Sequence, residues 1–141
     1  MSKVLSALFL VVCFACPATH ALENSDCFFC HGDADFSKPM PDGSSKPLFV
    51  DEKVYGASTH ASLGCTGCHD DVKEVPHQEG LKPVNCGACH EDEASIYAQS
   101  LHGKALAQGD LLAPACADCH GKHDILSPQN ILSKTNPIHI P

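Results

Sequence analysis

The sequence predicts a mostly irregular fold with a few short α-helices and little or no β-sheet, organised around something other than its own side chains. Three observations predict it. Large side chains are scarce: 141 residues include no tryptophan, two tyrosines and six phenylalanines, a thin supply for the core of so small a chain. Proline and glycine occur ten times each and interrupt the periodic stretches. Beyond the N-terminal segment, every cysteine falls in one of four units of the same form, Cys-x-x-Cys-His.

The N-terminal segment reads as an export signal. Lys3 precedes an apolar run from Val4 to about Cys16, and small residues follow near Thr19-His20-Ala21, which places cleavage after Ala21. A membrane-spanning helix would need roughly 20 apolar residues, and this run stops at Pro17. Lipid attachment at Cys16 is an alternative that Cys13 and Phe14 fit poorly. The organisation expected is a signal peptide over 1–21 and a single domain over 22–141, periplasmic or extracellular once the signal is removed.

The four units are Cys27-Phe28-Phe29-Cys30-His31, Cys65-Thr66-Gly67-Cys68-His69, Cys86-Gly87-Ala88-Cys89-His90 and Cys116-Ala117-Asp118-Cys119-His120. Two thiols three positions apart can bond the two vinyl groups of one haem, and the next histidine then reaches the iron from one face. The pattern is that of c-type haem attachment, and four copies imply four haem c groups. Zinc sites also use Cys-x-x-Cys pairs, and an exported cysteine-rich chain invites a disulfide framework. Neither requires a histidine after every second cysteine, so the haem reading accounts for more of the sequence. With haems as the core, the architecture expected is a multihaem cytochrome c fold.

His31, His69, His90 and His120 supply one axial ligand to each iron. Five more histidines follow the signal: His60, His77, His102, His123 and His139. Five candidates for four remaining positions is close to the demand of bis-histidine ligation. Reach restricts the pairing, since a chain covers at most about 3.3–3.6 Å per residue. His123 follows His120 too closely to round the same porphyrin, so it belongs to a different haem or to none. His60, five residues before Cys65, is better placed for a neighbouring haem. His77 and His102 sit in longer connectors. His139, near the chain end, is a ligand within the chain, a ligand to a neighbouring subunit, or a tail residue. Met40, in Pro39-Met40-Pro41, is an alternative ligand to the first haem and otherwise a packing residue.

The motifs begin at 27, 65, 86 and 116, a loose repeat rather than a fixed period. Residues 38–45 carry Pro39, Pro41 and Gly43 and read as a loop. Helices are expected over 51–63 and 92–108. In the second, acidic residues at the start suit the helix dipole, and Ala94, Ile96, Tyr97, Leu101, Ala105 and Leu106 recur at helical spacing; Gly103 weakens its centre. Short helical turns are expected at each motif, and an extended tail from Ser127. Acidic residues outnumber basic ones 17 to 9, which argues against a nucleic-acid partner and suits either solubility or docking on a lysine-bearing protein.

The sequence resembles multihaem c-type cytochromes of respiratory bacteria, especially small tetrahaem cytochromes and modules with doubled Cys-x-x-Cys-His motifs. The likeness is strongest from Tyr97 to Ile125, through Tyr97-Ala98-Gln99-Ser100-Leu101-His102-Gly103 and Pro114-Ala115-Cys116-Ala117-Asp118-Cys119-His120-Gly121-Lys122-His123-Asp124-Ile125. Residues 53–69 are also similar. The resemblance implies closely packed bis-histidine haems with His60, His102 and His123 as distal ligands, and electron transfer in anaerobic respiration at the periplasm or cell surface. An electron carrier of this kind would work between a quinol-oxidising membrane cytochrome or dehydrogenase and a terminal reductase. A multihaem reductase with one open haem, and a self-associating filament subunit, are the alternatives. In many relatives a stretch like Asn136–Pro141 runs straight into another Cys-x-x-Cys-His. Its absence here leaves His139 a candidate intersubunit ligand, or the chain a shortened relative of a longer cytochrome.

Overall fold

The computed structural model describes residues 21–139. Apart from Ala21, the segment read as an export signal lies outside the described residues. Five short helices, one small hairpin and several 3-10 turns follow one another with long irregular connections. No described helix is long and apolar enough to cross a membrane.

Helix α1 (Asn24–His31) starts where the Asp26 carboxylate accepts the Glu23 amide at 2.9 Å, satisfying one of the donors a helix start leaves free. The expected loop over 38–45 is partly a hairpin. Strands β1 (Ser37–Pro39) and β2 (Ser45–Pro47) pair antiparallel, with Lys38 opposite Lys46. The turn survives between them: Asp42 accepts the Ser44 amide at 2.9 Å, and Gly43 takes φ +82°, a conformation natural to glycine. Prolines at strand ends are tolerated because this is a two-stranded ribbon, all of it edge. The ribbon continues through Leu48 N–H to Phe36 C=O and Val50 N–H to His31 C=O, which returns the chain to the end of α1.

The helix expected over 51–63 is shorter than read. Helix α2 (Glu52–Gly56) is capped by Asp51, whose carboxylate accepts the amides of Lys53 and Val54, and a separate 3-10 turn covers Ala61–Leu63. The helix expected over 92–108 is two, α3 (Glu91–Gln99) and α4 (Leu101–Ala107). The break falls at Ser100 rather than Gly103. Ser100 adopts ψ 168° and its hydroxyl accepts the Gly103 amide, the favoured role of serine at a helix start. Gly103 is buried, and a Cβ there would overlap the Tyr97 carbonyl; it is a close-approach glycine between the two helices. Helix α5 (Cys116–His120) carries the last motif. The tail is a series of turns ending in a 3-10 turn at Pro137–His139 rather than an extended strand.

Side chains do not form the core. Val72 is the one buried hydrophobic residue among those described, while Phe29, Leu101, Leu111 and Leu112 are each 87% exposed or more. Each such side chain forgoes about 1.5–3 kcal/mol of burial. Burial of its own side chains therefore contributes little to holding this chain in shape.

Two outcomes follow. Chain made without haem attachment should lack the helical far-ultraviolet circular dichroism of the matured protein. In matured protein, Gly103→Ala should cost about 1–3 kcal/mol and lower Tm by roughly 5–15 °C in a melting experiment.

Candidate functional site

All four Cys-x-x-Cys-His units fold as tight helical turns. The first lies at the end of α1 and the fourth is α5; the second and third are 3-10 turns at Cys65–Gly67 and Cys86–Ala88. In the two 3-10 units the amides of both the second cysteine and the histidine point back to the first cysteine's carbonyl, as with His69 at 2.9 Å and His90 at 3.0 Å. The turn keeps the two cysteines and the histidine of each unit within one tight helical turn, as attachment to one ligand needs. Among the described residues, none of the eight motif cysteines pairs with another as a disulfide. Among the described residues no three histidine, cysteine or acidic side chains converge as a zinc centre would require.

The histidines are arranged in pairs. His31 faces His77 with ring centroids 6.1 Å apart and planes 4° from parallel; His69 faces His123 at 6.2 Å and 36°; His90 faces His60 at 5.8 Å and 75°. Ordinary aromatic pairs span about 4.5–7 Å, so distance alone does not distinguish these. Composition does: each pair joins one motif histidine to one non-motif histidine, with no sharing. Two imidazoles on opposite sides of one metal, each nitrogen roughly 2 Å from it and roughly 1.1 Å from its ring centre, have centroids about 6.2 Å apart.

Hydrogen bonds select the nitrogen. His31 Nδ1 lies 2.7 Å from the Leu48 carbonyl oxygen and His77 Nδ1 lies 2.8 Å from that of Gln78. A carbonyl only accepts, so each Nδ1 carries the proton and each Nε2 keeps its lone pair, the tautomer that binds metal. His90 Nδ1 is turned towards the Glu93 carboxylate at 3.9 Å. For His123, burial first and the facing His69 second hold the imidazole below its ordinary range, so it is neutral at pH 7 and able to donate a lone pair. The loop that presents it is pinned by Asp124, which accepts the Lys122 amide at 3.0 Å and pairs with Lys134 at 2.7 Å. The donor set therefore fits haem: two thiols and a histidine per unit, with a second imidazole opposite in three of them.

Thiol neighbours place the units relative to one another. Burial, with Cys27 alongside, pushes the Cys65 thiol up to about 11. Burial, then Cys116 and more weakly Cys68, push Cys86 up. Cys27 and Cys65 are thus neighbours, as are Cys86 and Cys116. A hydrogen bond from the Cys65 amide to the Asn24 side chain at 2.9 Å fastens α1 to the second unit.

Two tyrosines are part of this arrangement, and composition gave no hint of them. Tyr55 lies beside the thiols of Cys65, Cys68 and Cys27, its ring 6.5 Å from that of His123. Tyr97 lies beside Cys116 and Cys119 and donates to the Pro114 carbonyl at 2.8 Å. Both belong to a Tyr-x-x-Ser-x-His pattern, Tyr55…Ser58…His60 and Tyr97…Ser100…His102, and in both the serine amide returns to the tyrosine carbonyl at 2.9 Å.

Four other candidates stand apart from these pairs. Among the described residues, no aromatic ring faces His102 or His120, and both are exposed. His139 is also exposed and bonds through Nε2 to the Ile131 carbonyl at 2.9 Å, which occupies the nitrogen that the paired histidines leave free. Met40 sits in the hairpin turn, its amide bonded to the Ser44 carbonyl.

No solved structure matches the chain. Among curated proteins, the multiheme cytochrome MtrC of Shewanella baltica (strain OS185) is 29% identical over 107 residues; the match covers 63% of this chain and 16% of that protein. The chain therefore corresponds to a small part of that relative's length. The family model for cytochrome c3 matches residues 57–135, more than half of the chain, and takes in the second, third and fourth motifs with His60, His77, His102 and His123. With its haem-attachment units, paired imidazoles and absent side-chain core, the chain belongs to the cytochrome c3 family, as a multihaem electron-transfer protein with covalently bound haem c.

Proposed function

We propose that this protein is a tetrahaem cytochrome that relays electrons outside the cytoplasm in anaerobic respiration. The observation that carries the reading is the one-to-one facing of motif and non-motif imidazoles at 5.8–6.2 Å. Bound haem would supply a one-electron iron couple, tuned by axial ligands and surroundings.

The chain's own residues hold and order the groups. Cys27 and Cys30, Cys65 and Cys68, Cys86 and Cys89, and Cys116 and Cys119 anchor four haems, with His31, His69, His90 and His120 as the adjacent ligands. His77, His123 and His60 serve the first, second and third irons. Each of these comes from a segment remote from the unit it serves, so iron ligation braces the chain across itself. His60 precedes the second unit and serves the third; His123 follows the fourth and serves the second. The carbonyls of Leu48 and Gln78 hold His31 and His77 in their binding orientation. Irons ligated on both faces exclude substrate, which suits a carrier rather than an enzyme. The neighbouring of Cys27 with Cys65 and of Cys86 with Cys116 favours transfer between the first and second units and between the third and fourth.

The location rests on the export-like N-terminal segment, Lys3 followed by the apolar run to about Cys16. Partners would be a quinol-oxidising membrane cytochrome or dehydrogenase on one side and a terminal reductase on the other. With a formal charge of −8, a lysine-bearing docking face on either partner is favoured, and nucleic acid is not.

The mass of the purified protein should exceed that of its polypeptide by four haems; a smaller increment would refute the count. His60→Ala, His77→Ala and His123→Ala should each convert one low-spin haem to high spin in the electron paramagnetic resonance spectrum. His77→Met should instead keep one haem low-spin and raise its reduction potential, read by spectroelectrochemical titration.

A further inference from the structure

An imidazole bound to a metal through Nε2 keeps one freedom, rotation about that bond, and this rotation sets the angle between two facing rings. In the first pair hydrogen bonds fix it: the Leu48 and Gln78 carbonyls hold Nδ1 of His31 and His77, and the rings lie 4° from parallel. His69 and His123 stand at 36° instead. Beside the His123 ring lies that of Tyr55, with centroids 6.5 Å apart and planes at 75°, an edge-to-face arrangement that aromatic rings favour. Tyr55 is itself held. Asp51 caps its helix, α2, and its hydroxyl donates to the Ala61 carbonyl at 3.3 Å. Its ring meets Phe28 of the first unit at 6.2 Å and 60°. The Thr59 amide donates to the Ile125 carbonyl at 2.8 Å, which fastens the segment after α2 to the loop that carries His123.

We infer that Tyr55 is a positioning residue for the second haem: its ring sets the rotation of the His123 imidazole, and so the angle between the two axial rings on that iron. The inference rests on the bis-histidine reading above. Orientation of the axial ligands by their neighbours is one of the ways a protein tunes a bound metal. In low-spin ferric iron between two imidazoles, parallel rings split the lower d orbitals most and give the smallest leading g value. Perpendicular rings leave those orbitals nearly degenerate and give the largest. The angles of 4°, 36° and 75° therefore set leading g values that rise from the first haem to the second to the third. Truncating Tyr55 frees the His123 ring to turn without removing the ligand. The contact is made by the ring of Tyr55, so phenylalanine serves in its place.

The test uses purified, matured protein: native, Tyr55→Leu, Tyr55→Phe, His123→Ala, and Tyr55→Leu combined with His123→Ala, each checked for its haems by mass. Electron paramagnetic resonance of the oxidised protein reads the leading g value of each low-spin haem. The signal lost to high spin in His123→Ala identifies the second haem. In Tyr55→Leu that signal should stay low-spin and shift or broaden while the others hold their positions, and Tyr55→Phe should restore it. An unchanged spectrum in Tyr55→Leu would overturn the inference. So would a shift that Tyr55→Phe shares in full, or one that persists among the remaining low-spin haems of the double variant. If Tyr55→Leu does not mature, the native protein and Tyr55→Phe decide. With signals assigned by His77→Ala, His123→Ala and His60→Ala, the second haem's leading g value must fall between those of the first and third in both proteins; a value outside that interval in either overturns the inference. A His123→Ala protein with every haem still low-spin overturns the bis-histidine reading and this inference with it, whereas an unchanged Tyr55→Leu spectrum beside a high-spin His123→Ala leaves that reading standing.

Discussion

Pairs of imidazoles held 5.8–6.2 Å apart by segments distant in sequence are the constraint on which this structure depends. In a protein with a side-chain core, tertiary structure is maintained by many weak contacts summed over buried area. Here Val72 is the one hydrophobic residue buried among those described. Covalent haem attachment stands in for that sum, and in the proposed bis-histidine arrangement each histidine pair would close a loop in the chain, removing conformational freedom that weak contacts of this number could not.

The local folding serves those pairs. The hairpin of β1 and β2 looks incidental until its continuation is followed: Val50 N–H returns to the His31 carbonyl, and the Leu48 carbonyl receives His31 Nδ1. The ribbon therefore sets the orientation and tautomer of an axial ligand. The Asp124–Lys134 pair does comparable work for His123 by pinning its loop. That pair is partly exposed, and its electrostatic contribution to stability is small; its value is in position. The helices are similarly subordinate. None is long, and α3 and α4 meet at a buried glycine that lets Tyr97 reach the fourth unit.

The thiol neighbours group the units two by two, Cys27 with Cys65 and Cys86 with Cys116. The acidic surface is compatible with encounter-driven docking on basic partners, an effect felt in association rate and ionic-strength dependence more than in affinity. Where a motif imidazole faces a second imidazole, a bound iron would be closed on both sides; among the described residues His102 and His120 face no ring.

The sequence by itself determined the cofactor chemistry, because thioether attachment demands adjacent residues and leaves a local pattern: Cys27, Cys30 and His31 and their three counterparts are legible without coordinates. It also determined that the core is not made of side chains, since too few large residues exist to make one, and it excluded His123 from its own haem through chain reach alone. Only the tertiary structure decided the partners His31 with His77, His69 with His123 and His90 with His60, because facing two rings depends on where distant segments cross. For the same reason it alone decided that Leu48 and Gln78 carbonyls orient ligands and that Ser100, not Gly103, divides the helix. A backbone carbonyl has no sequence signature, and a serine cap is recognised only once the amide it accepts is in place.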